Sequence, residues 1–417
     1  MWKIKGTIRY FLSMWTVTFV QMGIFIYIQQ MIAGSNRGEV QDFRWESLLL
    51  QLFVLLPYVV FAAPASFLSN RFPKHKVLAW TSVLMTAFLI AMAVCATVGV
   101  SGVAYWLFLG LATGFALHSP AKYGILKEMC STRYLGYANA FLQIVSLISL
   151  VAASALCLGG VEFVRSNFEN VPNVNDFLSS SIALPWILTG FSVLGTVLSF
   201  FIPKVGTEST TTKIRSVKRE FRSTLSNPLV RATILGISMF WGMAQVFVLI
   251  FQDANGQGIN FLKNSILFAF LGLAIGSIWA ARSSRNFIET GHIPLGMLLV
   301  VVSMVPIPFV SNPTVLAILF TLAGLGGGLF LVPLNSLLQY NTKPHTAGRI
   351  LSISNLVQAL ILAGFLAIYS VLQYYFKLEP QYFLLGLGFV ATICFSWSIF
   401  NMPQSLLRSL LKVVFSR

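Results

Sequence analysis

Residues 114–126 read GFALHSPAKYGIL and place Lys122 two positions past Pro120, at the end of an apolar run that begins near Val103. A charge held in hydrocarbon is costly and so usually marks a polar pathway. As a compact ammonium with three donors, Lys122 can hold a phosphate, or it can snorkel to headgroups from a helix end. His118, one turn earlier, offers a ring nitrogen either to a ligand or to a neighbouring helix. Pro120 lacks the N–H that a helix interior needs, which predicts a kink. A second segment, GGLFLVPLNSLLQ at 327–339, repeats the arrangement, with a glycine six residues before Pro333. Asn335 stands there in the place of Lys122, and its amide can bind an ammonium or glycerol group or fasten one helix to another. Gln21, Gln245, Gln143, Asn355 and Gln358 are further amides within apolar runs, the last two sharing a helix face by their spacing of three. Trp241 is either an apolar wall for a ligand or a packing aromatic, and the glycines of GLGGGLF at 324–330 allow close approach or flexing.

Catalytic chemistry finds no support. A membrane acyltransferase would use an H-x-x-x-x-D pair, in which histidine activates a hydroxyl, yet His75, His118, His292 and His345 all lack an aspartate five residues on. The cysteines Cys95, Cys130, Cys157 and Cys394 have no disulfide-framework or zinc-type spacing. No metal and no cofactor is expected.

The elements that carry these residues follow from composition. The chain is 56% apolar and 10% charged with a mean hydropathy of +0.79, against about 25% charged residues in soluble domains. Its apolar runs reach the roughly 20 residues a helix needs to cross a bilayer, unlike the short alternating strands of a membrane barrel. Twelve helices are predicted, at 8–33, 46–69, 77–98, 102–122, 136–159, 181–202, 229–252, 261–281, 292–310, 313–338, 348–376 and 380–401. The first resembles a signal peptide in its basic start, but it is long enough to span and is read as retained.

Charge supports this count. With the connections numbered alternately from inside, all but five of the 28 Lys and Arg fall on the inner side, the five being Arg37, Arg44, Arg165, Lys263 and Lys377. Basic loops favour the cytoplasmic face, so both termini are expected there. The +16 net charge then belongs to membrane lipid; no soluble domain suits a nucleic-acid partner. The densest basic run, TKIRSVKREFRSTLSNPLVR, separates an N-terminal bundle at 1–202 from a C-terminal bundle at 229–401, as a linker at 203–228 lying against the inner leaflet, and a basic tail follows at 402–417.

The halves echo each other. Besides the two proline segments, GYANAFLQ from Gly136 matches GRILSISN from Gly348, which pairs Gln143 with Asn355, and SFLSNRFPKHK at 66–76 matches GSIWAARSSRN at 276–286. Two parallel six-helix repeats joined by a basic linker resemble the major facilitator superfamily: all-α, twelve spans, two pseudo-symmetric bundles. SFLSNRFPKHK is also similar to that superfamily's loop G-x-x-x-D-R-x-G-R, with Asn70 at the aspartate and Arg71 and Lys74 keeping the charges. These two are candidate gating residues, along with the kinks at Pro120 and Pro333, the alternative being an ordinary basic loop.

Within the superfamily the chain resembles the bacterial lysophospholipid transporters. Ser119–Leu126 reads SPAKYGIL, 238–244 reads SMFWGMA and 327–339 reads GGLFLVPLNSLLQ, in the order and spacing of that family. Two charges departed from the pattern: the family's F-G-D-N aligns with Phe19, Val20, Gln21 and Met22, and an arginine after F-W-G is replaced in AQVFVLIFQ. The resemblance implies a carrier, rocking between two faces of the bacterial inner membrane, that brings lysophospholipid inward for reacylation, with a cytoplasmic acyltransferase as possible partner. Its site residues would be Lys122, Asn335, Gln21, Gln245, His118, Trp241, Gln143, Asn355 and Gln358. The alternative cargo is another amphipathic or anionic solute, such as a drug, a siderophore or an organic anion. With no Asp or Glu predicted inside a span, either facilitated movement or coupling through another group is expected.

Overall fold

In hydrocarbon a backbone must satisfy its own polar groups, so long apolar runs fold as helices. The computed structural model describes residues 6–35, 40–130, 132–157, 182–205, 216–256, 260–284, 287–342, 346–402 and 404–405. Arg37, Arg165, residues 206–215 of the linker and the tail beyond 405 lie outside the described residues. The first half carries α1 (Thr7–Ser35), α2 (Val40–Val60), α3 (Ala62–Arg71), α4 (Lys74–Val98), α5 (Ala104–Met129), α6 (Leu135–Ala155) and α7 (Ala183–Phe200). After the short α8 (Val217–Leu225) come α9 (Pro228–Gly256), α10 (Asn260–Ser283), α11 (His292–Met304), α12 (Pro313–Tyr340), α13 (Ala347–Phe376) and α14 (Pro380–Asn401).

Each of the twelve expected spans corresponds to a helix or a broken pair of helices. Among the described residues nine helices are long and apolar enough to cross a membrane, ten if the bent pair α2–α3 counts as one. The polar run His118–Ser119–Pro120 dilutes α5, and α10 contributes a shorter apolar stretch, Leu267–Ser283.

The second span departs from expectation. It is not one rod over 46–69; α2 and α3 meet at Phe61 with a bend of 55°. Two prolines explain the break. Pro57 has no N–H for the carbonyl one turn back, and the ring of Pro64, tolerable in the first turn of α3, crowds the carbonyl of Val60. The linker also holds more structure than a connecting strand: along α8, Glu220 and Thr224 are buried while Lys218, Arg219 and Arg222 are exposed.

Helix ends follow local chemistry. The Asn312 side chain accepts from the backbone N–H groups of Thr314 and Val315 ahead of α12, with Pro313 as the first helical residue. Asn227 does the same for Leu229 and Val230 ahead of α9.

The contacts divide the chain into two units. One contains Met1–Met129, Val145–Val217 and Pro344–Asn355, and the other Cys130–Ile144, Lys218–Lys343 and Leu356–Arg417. In the first, α4 packs on α5 and α7, α1 on α7, and α2 and α3 on α5. Its core gathers Ile24, Ile28, Leu89, Leu111 and Leu188. In the second, α12 packs on α10 and α11, and α14 on α9 and α11. Here two backbones meet directly: a Cβ added at Gly276 would stand 2.1 Å from the Leu325 carbonyl oxygen, and one at Gly324 1.9 Å from that of Ala269. Lipid tails are as apolar as leucine, so close van der Waals contact between small residues is what binds helices here. Of the two readings of GLGGGLF, the structure takes close approach.

Candidate functional site

In the first unit the candidate residues gather along α5. Pro120 is buried within a helix that continues to Met129. Lys122 is half-buried, with its ammonium 5.7 Å from the centroid of the Tyr123 ring, within cation–π range. Its backbone carbonyl accepts a 2.7 Å hydrogen bond from the phenol of Tyr10 on α1. No carboxylate among the described residues pairs with it.

His118 is 2% exposed, and its Nδ1 lies 2.9 Å from Thr81 Oγ1 on α4. The Thr81 hydroxyl has one hydrogen and sits 2.7 Å from the Val77 carbonyl. With that hydrogen on the carbonyl, His118 Nδ1 donates to Thr81, and Nε2 is left an acceptor without a partner among the described residues. His118 thus ties α5 to α4 through Nδ1.

Asn355, at the edge of the first unit on α13, donates its amide to Ser119 Oγ at 2.9 Å. Gln21 is half-buried on α1, with no hydrogen-bond partner among the described residues. Lys74, read as a gate, opens α4 as a buried side chain and forms an ion pair with Glu128 near the end of α5. An acid thus stands inside a helix, where none was predicted within a span, because α5 runs on past residue 122 to include Glu128. Arg71 is half-buried in the last turn of α3 and already engaged. Beside it, Asn70 Oδ1 accepts from the Gly348 N–H at 2.9 Å, in the first turn of α13.

In the second unit the candidates are more dispersed. Pro333 is buried inside α12, which continues past it. Asn335 is half-buried and donates to the Leu331 carbonyl of its own helix at 3.0 Å, leaving its side-chain oxygen without a partner among the described residues. Trp241 meets Phe240 edge-on at 6.0 Å, and Phe240 lies 6.0 Å from Phe330. Gln245 on α9 and Gln358 on α13 are half-buried and engaged. Gln143 on α6 is half-buried with no partner among the described residues. The repeat mates Gln143 and Asn355 fall in different units.

Sequence reasoning missed the most connected polar group of the second unit. Asn139 on α6 donates to Gln339 Oε1 at 3.0 Å, and Gln339 on α12 donates back to Asn139 Oδ1 at 2.8 Å. Asn139 also donates to the Leu135 carbonyl and lies 3.3 Å from Ser336 Oγ. Both amides are buried. The signal was present in FLVPLNSLLQ, where Gln339 ends the motif, but the repeat pairs Gln339 with Leu126 and so hid it.

The chain matches the family model of the Major Facilitator Superfamily over residues 10–368. It is 26% identical over 366 residues to "Lysophospholipid transporter LplT" of Photorhabdus laumondii, covering 83% of each chain. It is 26% identical over 345 residues to the protein of the same name from Citrobacter koseri, covering 78% of this chain and 79% of that one. Among solved structures it resembles the E. coli fucose:proton symporter FucP, with a TM-score of 0.69 at 12% identity over 94% of this chain and 98% of that one. A bacterial homologue of the iron transporter ferroportin in an outward-facing state gives 0.70 at 14% identity, covering 94% and 99%. The human organic anion transporter MFSD10 gives 0.69 at 15%, covering 93% and 98%.

Proposed function

The chain belongs to the major facilitator superfamily, and from that premise we propose that this multi-pass transporter moves lysophospholipids by alternating access. It carries them across the bacterial inner membrane toward the cytoplasmic leaflet, where an acyltransferase restores the second chain. The observation that carries this reading is the half-buried ammonium of Lys122, uncompensated by any described carboxylate and set in SPAKYGIL on α5. An anionic phosphate attached to a single acyl chain fits such a cation inside an apolar helix bundle. Relatives named lysophospholipid transporters, 26% identical over about four fifths of the chain, point the same way. His118, Gln21, Asn335 and Gln143 are proposed to contact the polar part of the substrate, and Trp241 its chain. Gln245, Asn355 and Gln358, already engaged, would have to exchange a partner to do so. Arg71, Lys74, Pro120 and Pro333 are proposed to act in gating.

Purified protein in liposomes, offered labelled lysophosphatidylethanolamine, lysophosphatidylglycerol and a water-soluble organic anion, tests the reading. Leaflet transfer of both lipids that falls at least tenfold in Lys122→Ala is the expected result. Transfer of the soluble anion alone would favour the second reading, an organic-anion carrier, which the same uncompensated cation also allows.

A further inference from the structure

Inside the first unit, where α1, α4, α5 and α7 converge, the hydroxyl residues Thr16, Ser82, Ser192 and Thr196 line a cavity that Val20, Met85 and Phe115 help to close. Its volume is about 10 Å³, measured over the positions a water's centre can take. That is room for one water and for no larger ligand.

The hydroxyls around it hold more hydrogens than they can place. Serines inside these helices commonly return the hydrogen to the carbonyl one turn back, as Ser277, Ser303 and Ser336 do. Ser82 does not. It is 2% exposed, and its Oγ has no partner among the described residues. Across the cavity, Thr86 Oγ1 on α4 lies 2.6 Å from Ser192 Oγ and 2.8 Å from Thr196 Oγ1 on α7. Those three hydroxyls bring three hydrogens to two bonds. With Thr86 donating to one neighbour and accepting from the other, the spare hydrogen falls on Ser192 or Thr196. Thr16 is the reverse case, since its hydrogen goes to the Ser13 carbonyl at 2.8 Å and its lone pairs can still accept.

A buried O–H without an acceptor loses its hydration with no return. The occupant that answers this set accepts two hydrogen bonds and donates at least one, which a water does. A sodium ion would meet hydrogens instead of lone pairs, and no carboxylate is among the described residues that line the cavity to offset its charge. We propose that the cavity is a binding site for one ordered water, which takes a hydrogen from Ser82 and another from Ser192 or Thr196 and gives one to Thr16. It completes a polar joint of α4 with α7 and α1, and it stands whichever solute the protein carries.

Full-length protein in detergent supplies the test. A crystal structure that resolves ordered solvent should show density about 2.6–3.2 Å from Ser82 Oγ and from Ser192 Oγ or Thr196 Oγ1. Ser82→Ala removes one hydroxyl and adds no bulk. It should lose that density and lower the melting temperature by about 2–4 °C, the scale of one hydrogen bond lost from a unit of this size. Thr16→Val should lower it too, and the double variant should lose less than the two singles together, because both give up the same guest. A parent structure with no density in the cavity would overturn the site. So would a Ser82→Ala protein that melts at the parent's temperature or above it, the outcome for a hydroxyl that is simply unmet. Density with several oxygens at about 2.3–2.6 Å would mark a cation and overturn the assignment to water.

Discussion

At the scale of single residues, the polar groups inside the helices sort into those already satisfied and those held open. The Lys74–Glu128 pair is of the first kind. Both side chains are nearly out of solvent, so removing one leaves a buried, unpaired charge, at a cost of about 3–5 kcal/mol. Lys74→Met alone should therefore lower the melting temperature in detergent sharply, and adding Glu128→Leu should recover most of the loss. The Asn139–Gln339 pair makes a milder version of the same argument. Either amide replaced by leucine strands its partner, for about 1–3 kcal/mol, and the double replacement should cost less than the two singles together, measurable as a thermal double-mutant cycle. Cys130, between α5 and α6, is 3% exposed, and burial pushes its thiol up from the ordinary value. Maleimide labelling at neutral pH should be slow and should accelerate only as the pH is raised through the alkaline range that forms thiolate. The sequence made Lys122 legible because a lone charge in an apolar run stands out. It did not make Asn139 or Glu128 legible, since their significance lies in which neighbour on another helix is present.

Elements were easier to read than their partners. Twelve apolar runs gave twelve span positions, because hydrocarbon leaves the backbone few other forms. The break at Phe61 escaped because apolar periodicity carries straight through it, although Pro57 and Pro64 were visible in the sequence. Two prolines seven apart in one span would have been the signal. The glycines of α10 and α12 carried an ambiguity that only coordinates resolve. Backbone faces backbone at Gly276 and Gly324, and no rotamer can relieve the overlap a larger residue would bring. Gly276→Leu should force the helices apart, at about 3 kcal/mol or more, read as lost expression or a lowered melting temperature. Gly190, with nothing near its absent side chain, should accept alanine with little change in the same assay.

For the whole molecule, the distribution of charge bears on its energy source. Among the described residues the candidate membrane spans carry no Asp or Glu; Glu128, near the end of α5, is neutralised by Lys74, and Lys122 faces no acid. A carrier without a free membrane carboxylate has little to titrate with a proton gradient. Lipid transfer in proteoliposomes should accordingly persist at an unchanged rate when an uncoupler collapses the gradient. The side-chain-free seam of α10 and α12 offers a way to follow the working cycle. Backbones in direct contact can neither slide nor rotate past each other without losing the contact outright. Spin labels at the exposed Leu271 and Ile318 should therefore report one constant separation with or without substrate, a built-in ruler against which every other distance in the carrier can be calibrated.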